Sequence, residues 1–252
     1  GAPAGTLAAG RTPAGAAPAG GVVDAIVVGA GLSGLAAAKT LTEAGASVVV
    51  LEARNRAGGR VHNIRSPRLG ATLDAGAEFI GPTQNHIVAL ATEFDVRSIR
   101  TYNTGDSIFY NDGRVHRMSA ALPLPLIPDV GEAGPALARA QVDALAGFPV
   151  GEPWKHPDAR RLDSLTWKQY TDQMVNTQTA RDLMQVAMSA PLSVRPDEVS
   201  ALYFLNYIAA SGDENNPGTL IRLLSTDGGA QEKLFEGGAA PVSYTHLTLP
   251  TS

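Results

Sequence analysis

Apolar side chains fall along the first hundred residues in blocks that predict a strand, a helix and a second strand. Residues 22–29, VVDAIVVG, are mostly β-branched and end on a glycine, the pattern of a short buried strand. Residues 32–44 are rich in Ala and Leu and stop before Gly45, which predicts a helix closed by a glycine cap. Residues 46–51, ASVVVL, return to the strand pattern. Further on, residues 108–117, IFYNDGRVHR, alternate about Asn111-Asp112-Gly113 and predict a hairpin. The prolines of residues 122–128, LPLPLIP, exclude a helix interior and predict a surface loop. Thr166 and Gln169 have the T-x-x-Q spacing that opens a capped helix. Residues 197–210, DEVSALYFLNYIAA, carry the clearest amphipathic pattern. Pro196 stands at the entrance, acids fill the first turn, and apolar positions recur at Val199, Leu202, Tyr203, Leu205 and Tyr207. Taken alone, that stripe predicts core packing.

Composition narrows the function classes. The chain has 252 residues, 44% of them hydrophobic and 17% charged, which suits a globular α/β protein with room for a large core. Its net charge of −4 supplies no excess of cations for a nucleic-acid backbone, so nucleic acid is not an expected partner. No apolar run approaches the ~20 residues of a membrane helix. Cysteine is absent, which excludes a disulfide, a thiolate metal site and a cysteine nucleophile within the chain. His62, His86, His116, His156 and His246 never fall at metal-ligand spacing, and neither a G-x-S-x-G elbow nor a P-loop occurs.

The chemistry sits between the predicted elements. Gly29-Ala30-Gly31-Leu32-Ser33-Gly34 is a G-x-G-x-x-G turn between the first strand and the helix. Such a turn needs Gly29 for its tight bend, Gly31 for close approach of backbone to a pyrophosphate, and Gly34 for helix–strand packing. The helix N-terminus then faces the phosphates. Glu52, at the tip of the second strand, is placed to accept hydrogen bonds from ribose hydroxyls. This βαβ unit predicts a dinucleotide site and leaves NAD and FAD both open. The next stretch, LEARNRAGGR at residues 51–60, separates them. Arg54 and Arg60 offer charge-assisted hydrogen bonds, and Gly58-Gly59 let amides approach without a Cβ in the way. A second cradle of this kind suits FAD, whose flavin is carried beyond the ADP half. Arg56 reads as a solvated basic residue of the turn.

The string G-A-G-L-S-G-L followed by V-L-E-A-R-N-R-A-G-G-R resembles the flavin-containing amine oxidase superfamily. Residues 74–85, DAGAEFIGPTQN, residues 153–157, PWKHP, and the E-V-S-A-L-Y-F-L string at residues 198–205 are similar to the monoamine oxidase type. The resemblance implies an α/β fold of the GR2 flavoprotein type, a Rossmann-like FAD-binding domain joined to an α+β substrate domain. It implies FAD contacts at Gly29, Gly31, Ser33, Gly34, Glu52, Arg54, Gly59, Arg60, Gly76, Ala77, Glu78 and Phe79. It further implies substrate contacts at Gln231 and Leu224, with Ala190 and Pro191 as further pocket positions. The implied activity is oxidation of primary amines with dioxygen to aldehyde, ammonia and hydrogen peroxide. The alternatives are a polyamine or L-amino-acid oxidase, a non-catalytic flavin-binding module and, third, an NAD dehydrogenase. A cytoplasmic setting is expected, with the oligomeric state, a homodimer included, left open.

The resemblance also sets the expected organisation. Residues 1–21, almost all Gly, Ala, Pro and Thr, predict a disordered tail. Residues 22–100 form the first segment of the FAD domain, 101–231 part of the substrate domain, and 232–240 the return to the FAD domain. Residues 241–252, PVSYTHLTLPTS, are polar and β-prone, resemble no continuation of the family and are expected to be a non-native tail. The family's catalytic lysine and paired aromatics lie in a C-terminal half beyond residue 252. The chain by itself is therefore expected to be inactive and to hold FAD weakly or not at all.

Overall fold

The structure, a computed structural model, describes residues 21–111, 113–119, 131–145 and 147–247. The Ala/Gly/Pro segment 1–20, the hairpin tip Asp112, the LPLPLIP loop and residues 248–252 lie outside the described residues. The chain divides into two compact units. The first runs to Ala77 and resumes at Ala239; the second is Glu78–Gly238.

In the first unit, β1 (Ala25–Val28) and β2 (Val48–Leu51) pair in parallel, with Ala25 opposite Val48 and Val28 opposite Leu51. Helix α1 (Leu32–Glu43) connects them and ends at Ala44, before Gly45 at φ +88°. The helix, strand order and cap match the apolar pattern. The strands are shorter than that pattern predicts, because Asp24 closes their lower end. Its carboxylate accepts from the Ser47 backbone N–H at 2.9 Å and hydroxyl at 2.6 Å. The expectation of a buried first strand is not met: Ile26 is 61% and Val28 85% exposed. Among the described residues only β2 pairs with β1, so one edge stays open. An antiparallel pair, β3 (Asn63–Ser66) and β4 (Ala71–Asp74), follows.

The chain returns to this unit through α9 (Ala240–Leu247), which packs on α1. Asp74 Oδ1 accepts the Ala239 N–H at 2.8 Å and Asn63 Oδ1 the Ala240 N–H at 3.1 Å, so the β3–β4 pair caps the returning helix. Val242 and Ser243 are fully buried there. The β-prone composition of residues 241–247 is thus overridden, since burial of Val242 and two capped amides favour helix over extended chain.

In the second unit, β5 (Phe79–Ile80) and β6 (Ser98–Arg100) both pair antiparallel with β9 (Lys233–Phe235). That pairing groups residues 78–100, assigned above to the first domain, with the second unit. Helix α2 (Asn85–Glu93) joins β5 to β6. The predicted hairpin is present as β7 (Asp106–Asn111) and β8 (Arg114–Ser119), with Asn111 opposite Arg114 and Gly113 at φ +75°.

The core of the second unit is helical. It is built from α3 (Ala133–Leu145), α4 (Ala159–Ser164), α5 (Trp167–Asp172), α6 (Gln178–Leu192), α7 (Ala201–Ala209) and α8 (Leu220–Leu224). Trp167 is fully buried at its centre, edge-on to Phe204 with centroids 4.5 Å apart. The predicted capping box is formed in both directions. Thr166 Oγ1 accepts the Gln169 N–H at 3.1 Å, and Gln169 Oε1 accepts the Thr166 N–H at 2.9 Å.

The helix expected over residues 197–210 starts four residues late. Ser200 is its N-cap, accepting the Tyr203 N–H at 3.2 Å, and the acids lie outside the helix. Asp197 instead pairs with Arg195 at 2.8 Å, while Glu198 accepts the Arg195 N–H at 3.0 Å. A serine three residues into an acidic run competes well as a cap, and here it wins. The buried stripe shifts with the start to Ala201, Leu202, Phe204, Leu205 and Ile208, leaving Tyr203 exposed.

Candidate functional site

In the first unit the glycine turn and the LEARNRAGGR loop form one cleft of about 620 Å³. It is lined by Val28, Gly29, Gly31, Leu32, Ser33, Gly34, Arg54, Gly58, Gly59, Arg60, Val61 and Ala77. Gly29 takes φ +100° and donates its N–H to Leu51 O at 2.7 Å, which bends the chain out of β1. Gly31 is the N-cap of α1 and no side chain caps that helix, so its first amides are free to meet an anion. A Cβ on Gly34 would stand 2.0 Å from Gly29 O and 3.3 Å from Val27 Cγ1, which accounts for the third glycine of the motif.

The second loop is laid against the first. Gly31 and Gly58 form a parallel bridge in which Gly58 N–H donates to Ala30 O at 2.8 Å. Arg54 and Arg60 both line the cleft, and among the described residues neither guanidinium has a hydrogen bond or ion pair. Glu52 is held by two backbone amides, Arg54 N–H to Oε1 at 2.8 Å and Ala30 N–H to Oε2 at 2.9 Å. Those bonds, the Arg54 amide first, keep its carboxyl below the ordinary value of 4.5. Gly76 passes so close to the loop that a Cβ would meet Arg60 O at 2.1 Å, and Ala77 N–H donates to that oxygen at 3.1 Å.

Arg56 is not the solvated residue its sequence context suggests. Its guanidinium turns back on its own loop and donates to three carbonyls: Ala57 O and Val61 O at 3.2 Å, and Gly59 O at 2.9 Å. The three arginines thus divide their roles. Arg56 shapes the loop from within, while Arg54 and Arg60 leave their charge facing the cleft. The available signal was a long donor-rich side chain beside two glycines whose carbonyls lack a helical or sheet partner.

The remaining candidates lie in the second unit. Glu78 and Phe79 stand exposed at the start of β5, where Phe79 pairs with Leu234. Leu224 lines an apolar cavity of about 290 Å³ with Gly134, Leu137, Ala138, Gln141, Leu220 and Ile221. Gln231, half-buried just before β9, is not among those lining residues, so this cavity does not bring the two together. Ala190 is exposed, and Pro191 sits in the last turn of α6. Residues 81–85, GPTQN, are a structural joint. Gly81 passes where a Cβ would meet Gly229 O at 2.0 Å, and Thr83 Oγ1 donates to Ser211 O at 3.0 Å. No helix among the described residues is long and apolar enough to cross a membrane, and they hold no cluster of metal-ligating side chains.

The pattern of the family "Flavin containing amine oxidoreductase" matches residues 32–243. Amine oxidase [flavin-containing] B of Homo sapiens is 35% identical over 226 residues, 90% of this chain and 42% of that protein. Amine oxidase [flavin-containing] of Oncorhynchus mykiss is 36% identical over 220 residues, 87% of this chain and 41% of that protein. The chain therefore spans about two fifths of the length of these relatives. Among solved structures, cyclohexylamine oxidase from Brevibacterium oxydans IH-35A superposes with a TM-score of 0.80 at 34% identity, covering 89% of this chain and 48% of that one. Putrescine oxidase bound to putrescine gives 0.78 at 31% identity, with the same coverage. With a family pattern that matches residues 32–243 of its 252, the chain belongs to the flavin-containing amine oxidases, whose cofactor is FAD.

Proposed function

We propose that this chain supplies the adenosine and pyrophosphate half of an FAD site in an enzyme that oxidises primary amines. With dioxygen and water as co-reactants, the products are aldehyde, ammonia and hydrogen peroxide. The observation that carries the reading is the cleft of the first unit. One helix N-terminus and two guanidinium groups without partners among the described residues line it, next to a carboxylate fixed by two amides.

In this reading Gly29, Gly31, Ser33 and Gly34 bring backbone and hydroxyl to the pyrophosphate. Arg54 and Arg60 neutralise it, and Gly59 leaves room for it. Glu52 keeps lone pairs for the ribose hydroxyls, its orientation set by the Ala30 and Arg54 amides. Gly76, Ala77, Glu78 and Phe79 follow the flavin, while Gln231 and Leu224 face the amine. When bound, FAD would supply the redox chemistry of amine oxidation. The protein's own part is to orient the amine, exclude water and favour the uncharged amine with apolar walls such as that of Leu224.

The likeness to a putrescine oxidase bound to putrescine supports a second reading within the same chemistry, a diamine substrate. Since the chain spans about two fifths of its relatives, the 252-residue chain is expected to show no turnover. The test supplies FAD to this chain and to a form extended to family length, and follows peroxide release and flavin bleaching with benzylamine and putrescine. Activity only in the extended form, with benzylamine as the better substrate, is the expected result. Amine-dependent peroxide from the 252-residue chain would refute the inactivity. An extended form that binds FAD yet is bleached by neither amine would refute the oxidase reading.

A further inference from the structure

A second cavity in the second unit, about 230 Å³, lies where the GPTQN joint, the C-terminal end of α7 and α8 come together. Its polar lining is unbalanced. Arg222 contributes a guanidinium whose Nε is buried without a partner, and among the described residues no hydrogen bond or ion pair is made by that group. Tyr207 contributes a hydroxyl with no partner among the described residues, and Gln84 has its Oε1 occupied by the Gly81 N–H, leaving its amide NH₂ as a donor. Among the described residues no Asp or Glu lines the cavity. The nearest acid in sequence, Asp213, has its carboxylate engaged by Asn85, Asn215 and Asn216.

An arginine nitrogen out of contact with water and without an acceptor is destabilising, and among the described residues the lining offers that guanidinium no anion. The remaining walls, Pro82, Ala210, Leu223 and Ala230, are apolar. The rim carries a second mark. Thr83, a β-branched residue, is held at φ +76° by its bond to Ser211 O, and non-glycine residues in that region concentrate at ligand clamps and similar sites.

We propose that this cavity is a carboxylate-binding site that seats a small aliphatic monocarboxylate, its charged end on Arg222 and its hydrocarbon end against Pro82 and Leu223. Arg222 provides the fork geometry that matches a carboxylate. Tyr207 is kept protonated because burial pushes its hydroxyl above the ordinary value of 10.0, so it donates rather than repels. The proposal rests on this cavity alone and stands independently of the flavin reading.

Its test involves neither FAD nor turnover. Sodium isobutyrate and its neutral isostere isobutyramide are titrated calorimetrically into the 252-residue chain in a chloride-free buffer. One-to-one binding of the acid is expected, with the amide at least about tenfold weaker. Arg222→Gln is expected to lower acid affinity by at least about tenfold, and Tyr207→Phe by a smaller factor. The absence of saturable heat with isobutyrate would overturn the proposal. So would equal binding of the amide, or undiminished binding to a folded Arg222→Gln variant. If that variant does not fold, the comparison of acid and amide on the unsubstituted chain decides alone.

Discussion

Replacing Arg56 by Met keeps an unbranched, mostly apolar stem and removes all three hydrogen bonds of the guanidinium, to Ala57, Gly59 and Val61. A hydrogen bond from a charged donor contributes about 1.5–3 kcal/mol when well buried. Arg56 is only half-buried, and three bonds from one guanidinium are not independent, so the expected loss is about 2–4 kcal/mol. It should be local. Both tryptophans, Trp154 and Trp167, belong to the second unit, so their fluorescence reports that unit and serves as an internal control.

The first unit is better followed by amide hydrogen exchange, in particular at Gly58, whose N–H is bonded to Ala30 O. A loss of about 2–4 kcal/mol lowers its protection roughly 30- to 700-fold, while the tryptophan unfolding transition stays in place. Arg54→Met is the comparator. Its guanidinium makes no bond among the described residues, so exchange at Gly58 should change by no more than the equivalent of about 0.5 kcal/mol. Unchanged protection in Arg56→Met, or an equal fall in Arg54→Met, would show that Arg56 does not shape the loop.

Three further outcomes follow from the geometry. Gly34→Ala sets a Cβ 2.0 Å from a backbone oxygen, so the first unit should lose roughly 1–3 kcal/mol or more; native exchange protection of the α1 amides would contradict this. Glu52 has its carboxyl held low in the folded chain, so its contribution is present above its unfolded value and is lost as pH falls through the folded one, below 4.5. Protection of the Ala30 and Arg54 amides, taken relative to the intrinsic exchange rate at each pH, should therefore fall on acidification more steeply in the native chain than in Glu52→Gln, and superimposable profiles would count against it. Thr166→Ala breaks the capping box of α5 and should lower the stability of the second unit by about 1 kcal/mol, read as a shift of the Trp167 transition; an unmoved transition would mean that the box contributes nothing.

The parts of this fold that were legible in the sequence are those fixed by short-range chemistry. The turn at Gly29, the cap at Gly45, the box at Thr166 and the hairpin around Gly113 each depend on residues within a few positions of one another. The readings that changed depend on longer-range choices. Ser200 and Pro196 both offer a start for α7, and the winner is decided by whether Asp197 and Glu198 find Arg195. Arg56 looks identical in sequence to its neighbours Arg54 and Arg60; only the folded loop shows which of the three faces inward. The helical state of residues 240–247 depends on Asn63 and Asp74, more than 160 positions earlier, which no local pattern reports. In the candidate site, the glycines and Glu52 were identifiable from spacing, whereas the donor-rich cavity at Arg222 is assembled from three separate segments.

The return crossing at Ala239 bears on the order in which the protein acquires its structure. The bonds from Ala239 to Asp74 and from Ala240 to Asn63 span 165 and 177 positions. A chain synthesised from its N-terminus presents β1, α1 and β2 long before the helix that packs on α1 exists, so the first unit stays unfinished until Ala239 and the residues after it have been made. Contacts at such separation form slowly from a flexible chain. They form faster once the intervening segment has folded and its two ends act as a short tether. The second unit, whose core around Trp167 is drawn from consecutive helices, is therefore the natural first folder. Of these two units, the one begun first is the later to be completed.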